Sequence, residues 1–160
     1  MQWVALIAVT IAALDQLTKW LIVRSISPAE TRVVISGFFS LVNWRNTGAA
    51  WGILQHYNLV LTAISLLTVL AIYLFRHSFP LDRPGTRIAL GLIAGGIMGN
   101  LIDRIRVEAV IDFLSFYIGQ YHWPAFNVAD SAICVGVGLY IIMSWRKDDT
   151  AEKSRAAISS

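Results

Sequence analysis

Four apolar stretches set the rhythm of the chain. The first covers residues 3–23 and is interrupted by Asp15 and Lys19. The second, 57–75, carries no charge. The third, 86–102, is short and rich in glycine, and the fourth, 128–145, has Asp130 near its start. Each approaches the ~20 residues a helix needs to cross a ~30 Å hydrocarbon core, which predicts four transmembrane helices. Two longer connections separate them. In 24–56, Arg32–Ile35 and Phe39–Trp44 are rich in β-branched and aromatic residues and lie on either side of Gly37, predicting a small strand or hairpin at the membrane surface. In 103–127, the apolar run Val110–Ile118 carries Asp112 and is bounded by Gly119. Its aromatic neighbours Phe113, Phe116, Tyr117, Tyr121 and Trp123 predict an interfacial loop or helix. The expected fold is an all-α membrane protein of four spans with a small extracytoplasmic β element. Residues 1–146 form one membrane domain, and 147–160 a polar, disordered tail.

Composition agrees with this reading. Hydrophobic residues make up 56% of the 160 and charged residues 14%, against about half and a quarter in a soluble domain. The net charge of +3 could suggest nucleic acid. The basic residues are scattered among apolar runs, however, with no patch interleaved with aromatics, so no nucleic-acid partner is expected. Their distribution speaks to topology instead. Arg76, Arg83, Arg87, Arg146, Lys147, Lys153 and Arg155 would share one side in short segments, and Arg24, Arg32, Arg45, Arg104 and Arg106 the other. By the positive-inside rule both termini are expected in the cytoplasm. The first stretch lacks a basic leader and holds Asp15 and Lys19 where a cleavage site would fall, so it is expected to be a retained span. Cys134 lies alone in an apolar run, as a packed core residue would. His56, His77 and His122 are dispersed. Neither a disulfide nor a metal or other cofactor is expected.

Charged groups in apolar segments need a reason, since even the gentler insertion scale sets ~2.5–3.5 kcal/mol against each. Asp15, Asp103, Asp112 and Asp130 all fall toward the outer side of the predicted topology. Asp15 has Lys19 one turn later, in the favourable acid-then-base order. Asp103 precedes Arg104 directly and follows Asn100 by one turn. Both read as structural ion pairs. Asp112 and Asp130 have no cation within four positions, and Asp130 has Asn127 at i−3, an amide able to orient its carboxyl. Gly91, Gly95 and Gly99 recur at four-residue spacing with Gly96 beside them, a stripe that lets helices approach closely and would fix Asn100 and Asp103.

Two carboxyls without cationic partners in a semi-dry site cannot both ionise readily. One holds a proton while the other acts as base, the logic of an aspartic protease dyad. The same acids could instead conduct protons or ions, or serve structure alone. A Ser–Lys nucleophile would need Lys19, already paired with Asp15, and no serine is marked by a motif.

Five motifs add to this pattern. Asp15-Gln16-Leu17-Thr18-Lys19, Asn46-Thr47-Gly48-Ala49-Ala50-Trp51-Gly52, Gly95-Gly96-Ile97-Met98-Gly99-Asn100-Leu101-Ile102-Asp103-Arg104, Val110-Ile111-Asp112-Phe113 and Pro124-Ala125-Phe126-Asn127-Val128-Ala129-Asp130-Ser131 follow one another along most of the chain. In that order they resemble the motifs of the lipoprotein signal peptidases (signal peptidase II), bacterial membrane aspartic proteases. The resemblance implies Asp112 and Asp130 as the catalytic pair. It further implies Asn46, Gly48, Asn100, Asp103, Arg104 and Asn127 as residues that hold the site or the substrate, with Asp15 and Lys19 in support. The implied substrate is a prolipoprotein carrying diacylglycerol on a cysteine, cleaved just before that cysteine in the bacterial inner membrane. Membrane lipid is the surrounding partner, and the family's inhibitor globomycin is expected to bind at the dyad. Two positions depart from the pattern: Trp51 where the family usually has Phe, and Glu108 where a glycine commonly stands.

Overall fold

The computed structural model describes residues 1–28, 30–49 and 53–158, with side chains as far as 145. Trp51, the first of the two departures, lies outside these residues. Three helices are long and apolar enough to cross a membrane: α1 (Gln2–Ser25), α3 (Pro84–Val107) and the Val128–Trp145 part of α4 (Val128–Ile158). The second apolar stretch forms α2 (Asn58–Leu74), whose 17 residues make it shorter than the other three. A single 3-10 turn, Arg76–Ser78, leads toward α3, which starts on Pro84, where a missing N–H costs no helical hydrogen bond.

α3 is the hub. α1 and α4 pack closely along it, and α2 packs on it more loosely. The glycine stripe explains the closeness. A Cβ at Gly95 would come within 2.7 Å of the Ala8 carbonyl oxygen of α1, and one at Gly99 within 2.6 Å of Asp15 Oδ2. Gly96 faces the other way and would meet the Ala129 carbonyl of α4. Helices brought this near bring their buried polar groups into direct hydrogen-bonding range.

Four antiparallel strands lie in the order β1 (Thr31–Ile35), β2 (Phe39–Asn46), β3 (Val110–Ile118) and β4 (Tyr121–His122). Gly37 and Gly119, both at positive φ, turn the β1–β2 and β3–β4 hairpins. The hairpin expected around Gly37 is present. The segment 110–118 differs from expectation: it is the third strand, not an interfacial loop or helix. Its β-branched and aromatic residues find edge partners in β2, a long-range pairing that local pattern does not reveal. Phe113 on β3 packs with Ile22 and Ile26, tying the sheet to the end of α1.

Two other boundaries shift. α3 continues past residue 102 to Val107 and stops at Glu108, which adopts the left-handed conformation (φ 56°, ψ 19°). That is the conformation glycine takes most readily, so the second departure falls where the backbone feels it. The α4 backbone stays helical beyond Trp145 to Ile158, where an irregular tail is expected. Its Ala, Glu, Lys and Arg residues are strong helix formers.

Candidate active site

Each acid is delivered by a different element, and local rules explain how. Asp130 sits three residues into the start of α4. Asn127 caps that helix: its Oδ1 accepts from the Asp130 backbone N–H at 2.9 Å, while the Asp130 carboxylate accepts from the Asn127 backbone N–H at 3.2 Å. This is a reciprocal capping box with amide and carboxylate in place of hydroxyl and glutamate. Ahead of the cap, Phe126 bridges to Leu114 of β3, and its carbonyl accepts from Phe113 and Leu114. The start of α4 is thereby pinned beside β3, which carries Asp112.

Asn127, fully buried, then joins the two acids, since its Nδ2 donates to Asp112 Oδ1 at 2.8 Å. Asp112 Oδ2 accepts from Asn46 Nδ2 at 3.0 Å. Asn46 lies on β2 opposite Val110, diagonal to Asp112, and a register shift between Leu41 and Trp44 sets that relation. Asp130 Oδ1 accepts from Asn100 Nδ2 at 2.7 Å. Both acids are thus held by neutral donors, with no ion pair to either carboxylate among the described residues.

The other two aspartates are treated differently. Lys19, 1% exposed, places its ammonium 2.8 Å from Asp15 Oδ2 and 2.8 Å from Asp103 Oδ2, and donates to Asn100 Oδ1 at 3.0 Å. Three donors meet three acceptors. The expected partner of Asp103 was its sequence neighbour Arg104, and that expectation is corrected. Adjacent residues on a helix point about 100° apart, so Asp103 turns to α1 while Arg104 turns to the loop after β2. There Arg104 Nη2 donates to the Gly48 carbonyl at 2.9 Å. Asp15 also accepts from the Ala129 backbone N–H at 2.9 Å, and Asp103 from the Ile111 backbone N–H at 3.2 Å. These supporting acids therefore anchor the first turn of α4 and the start of β3, the two elements that carry the free pair.

Every site residue named from the sequence falls in this one neighbourhood. Reasoning from the sequence passed over Gln16, whose Nε2 donates to Asp103 Oδ1 at 2.8 Å and to the Gly99 carbonyl at 3.1 Å. Its place between Asp15 and Lys19 is only a sequence hint, because the partners are more than 80 residues away. Asn43, buried on β2 and bonded to the Ile26 carbonyl at 2.8 Å, was also missed.

Asp112 and Asp130 open on a cavity of about 1070 Å³, also bordered by Arg104, Asn46 and Gly48. Burial raises the Asp112 carboxyl to a pKa of about 7. The negative charge of Asp130 adds to the rise, and the amides of Asn46 and Asn127 oppose it. A carboxyl titrating near neutrality beside a second carboxyl can both give and accept a proton at physiological pH. Among the described residues, no three His, Cys, Asp or Glu side chains group as metal ligands would.

Comparison with known proteins bears on the same residues. A family model described as Signal peptidase (SPase) II matches residues 7–146. The lipoprotein signal peptidase of Syntrophotalea carbinolica is 47% identical over 144 residues, covering 88% of this chain and 89% of that protein. The one from Oleidesulfovibrio alaskensis is 50% identical over 138 residues, covering 83% and 88%. Among solved structures, a bacterial membrane enzyme determined by the in meso method at 2.3 Å superposes with a TM-score of 0.83 at 33% identity, covering 94% of this chain and 92% of that one. With apolar helices of spanning length and a match over most of its residues, the chain is an integral membrane protein that belongs to the signal peptidase II family.

Proposed function

We propose that this protein is an aspartic endopeptidase of the bacterial inner membrane. It removes the signal peptide from diacylglyceryl-modified prolipoproteins, cutting just before the lipidated cysteine. The observation that carries the reading is the contrast in how four aspartates, three buried and Asp130 half-buried, are held. Asp15 and Asp103 share Lys19, whereas Asp112 and Asp130 share only amides and face a cavity. In this reading residues 1–146 form one domain of four spans, α2 being the fourth, with the polar tail and both termini in the cytoplasm. The catalytic pair lies at the extracytoplasmic face, and globomycin occupies the same pair.

The chemistry uses one proton shared by the dyad. The ionised carboxyl takes a proton from water as the water oxygen attacks the scissile carbonyl carbon. The protonated partner gives its proton to the carbonyl oxygen, leaving a neutral tetrahedral diol. In the collapse, the carboxyl that gained a proton passes it to the departing amine. The other carboxyl recovers one from the diol hydroxyl, and the C–N bond breaks. General acid–base help of this kind contributes ~10²–10⁴-fold. Asn127, bonded to both acids, keeps their separation fixed through the exchange, while Asn46 and Asn100 fix the outer oxygens. Ion conduction by the same acids is less well supported, because Asp15 and Asp103 are already paired with Lys19 and α2 carries no acid.

The test is incubation of the purified protein with a diacylglyceryl-modified prolipoprotein in the presence of a chelator. Release of the signal peptide is expected. Cleavage that stops on adding chelator, or that needs no lipid on the cysteine, would overturn the proposal.

A further inference from the structure

The cavity before Asp112 and Asp130 has two unlike ends. At the polar end Arg104, only 8% exposed, holds a buried Nη1 with no partner among the described residues. A buried N–H left open favours an incoming acceptor such as a carbonyl. At the other end, one turn along α4 from Asp130, the wall is formed by Cys134 and its neighbour Ile133. Cys134, the single cysteine of the chain, is expected from the sequence to be a packed core thiol. In the structure it is exposed. Val137 and Ile141 continue the same helix face at three- and four-residue steps and are exposed too. Gly138, one turn beyond Cys134, leaves a notch, since a Cβ there would meet nothing within 4 Å. The opposite side of the helix is occupied, with Gly136 against Ala89 and Ile93 of α3.

An apolar track therefore leaves the cavity at Cys134 and runs along α4. From Asp130 to Ile141 it covers ~16 Å at 1.5 Å per residue, about half of the ~30 Å hydrocarbon core. A ligand that fits both ends has an amide-bearing head for Arg104 and the acids, and a hydrocarbon tail of one leaflet's depth. Resting on the function proposed above, we infer that an acyl chain of the lipidated substrate leaves the cavity past Cys134. It lies on the Val137–Ile141 face, so the side chain at position 134 sets substrate affinity and its thiol is a site where modification blocks the enzyme.

The protein's one thiol makes the test specific. N-ethylmaleimide reacts by addition of Sγ to the ring double bond, and the thiol proton ends on the adjacent ring carbon, with no oxidant and no leaving group. Treated wild-type protein, still folded by its thermal melt, is expected to lose about 10–200-fold in kcat/KM on diacylglyceryl-modified prolipoprotein, with the loss in KM, as misfit of a small group in an apolar site produces. Substrate present during labelling should slow the reaction of Cys134, and the Cys134→Ala variant should keep its own rate on treatment. Gly138→Leu supplies a second probe that enters open space and strengthens the helix, and it too should raise KM. If untreated protein cleaves the substrate while labelled protein and Gly138→Leu keep its KM, the acyl path is wrong and the proposed function stands. If untreated protein does not cleave, both fall.

Discussion

Four aspartates, three buried and Asp130 half-buried, lie within a few ångströms of shared partners, yet they form two regions with different electrostatics. Around Lys19 the acids have a cation: one ammonium serves two carboxylates and an amide, and every donor is used. Around Asn127 nothing cancels, because amides can orient a carboxylate but bring no net charge. The first arrangement pairs its acids with a cation and fixes them in place. The second leaves a carboxyl near pKa 7, free to exchange a proton. The lesson is that burial alone does not distinguish a working acid from a structural one. The identity of the neutralising partner does.

The sharpest way to break this contrast is to remove one member of the free pair. Asp112→Asn or Asp130→Asn should cut cleavage by at least ~10²–10⁴-fold while the protein still folds, measured by product formation alongside a detergent melt. Substantial turnover in either variant would place the chemistry elsewhere. Next in size is Lys19→Met, which strands two buried carboxylates and should destabilise the fold by about 3–5 kcal/mol, read as a lowered melting temperature. Removing the stranded charges with Asp15→Asn and Asp103→Asn in the same chain should recover much of that loss. A triple variant as unstable as Lys19→Met would mean that charge balance is not the cause.

Asn127→Ala removes the helix cap and the bridge together. It should cost ~0.5–2 kcal/mol as a lost N-cap and, in addition, lower kcat. If only stability changes, the bridge has no part in the reaction.

The pH dependence carries a defined sign. Asp112 binds its proton more tightly folded than unfolded, so its burial opposes folding once it must ionise. The opposition is absent below a pH of about 4, grows between there and about 7, and is complete above. The melting temperature of Asp112→Asn relative to wild type should therefore rise from pH 4 to pH 8. A flat difference would show that Asp112 does not titrate as its burial requires.

The smallest expected effect joins the two regions. Glu108, at positive φ, links α3 with Asp103 to β3 with Asp112. Glu108→Gly should relieve about 1 kcal/mol of local strain, largely offset by the ~0.5–1 kcal/mol of entropy glycine loses on folding, for a net gain in melting temperature of about a degree or two at most.

Much of this arrangement could be read along the chain, and the remainder shows where such reading stops. The isolation of Asp112 and Asp130 from cations was visible because helical and strand neighbours are set by spacing. The i−3 relation of Asn127 to the Asp130 carboxyl was legible for the same reason, as was the close packing of the glycine stripe; that Asn127 also caps α4 was not read. Asp103 was misassigned to Arg104 because its real partner is 84 positions away on α1. β3 read as an interfacial segment because its pairing to β2 depends on a contact across the whole of α2 and α3. Cys134 read as core because an apolar run does not reveal which face of a helix meets a cavity.

One consequence follows from the saturation of Lys19. Its three hydrogens rivet α1 to α3 at a single depth, and the Asp15 bond to Ala129 extends the rivet to α4. Those three helices cannot slide or roll past one another without stranding a charge. Whatever movement admits a bulky guest and lets two products depart must therefore belong to the remainder of the molecule, such as the β1–β2 hairpin and α2. The timing of each turnover is then set on the loosely held side of the protein, while the acids wait on the side that does not move.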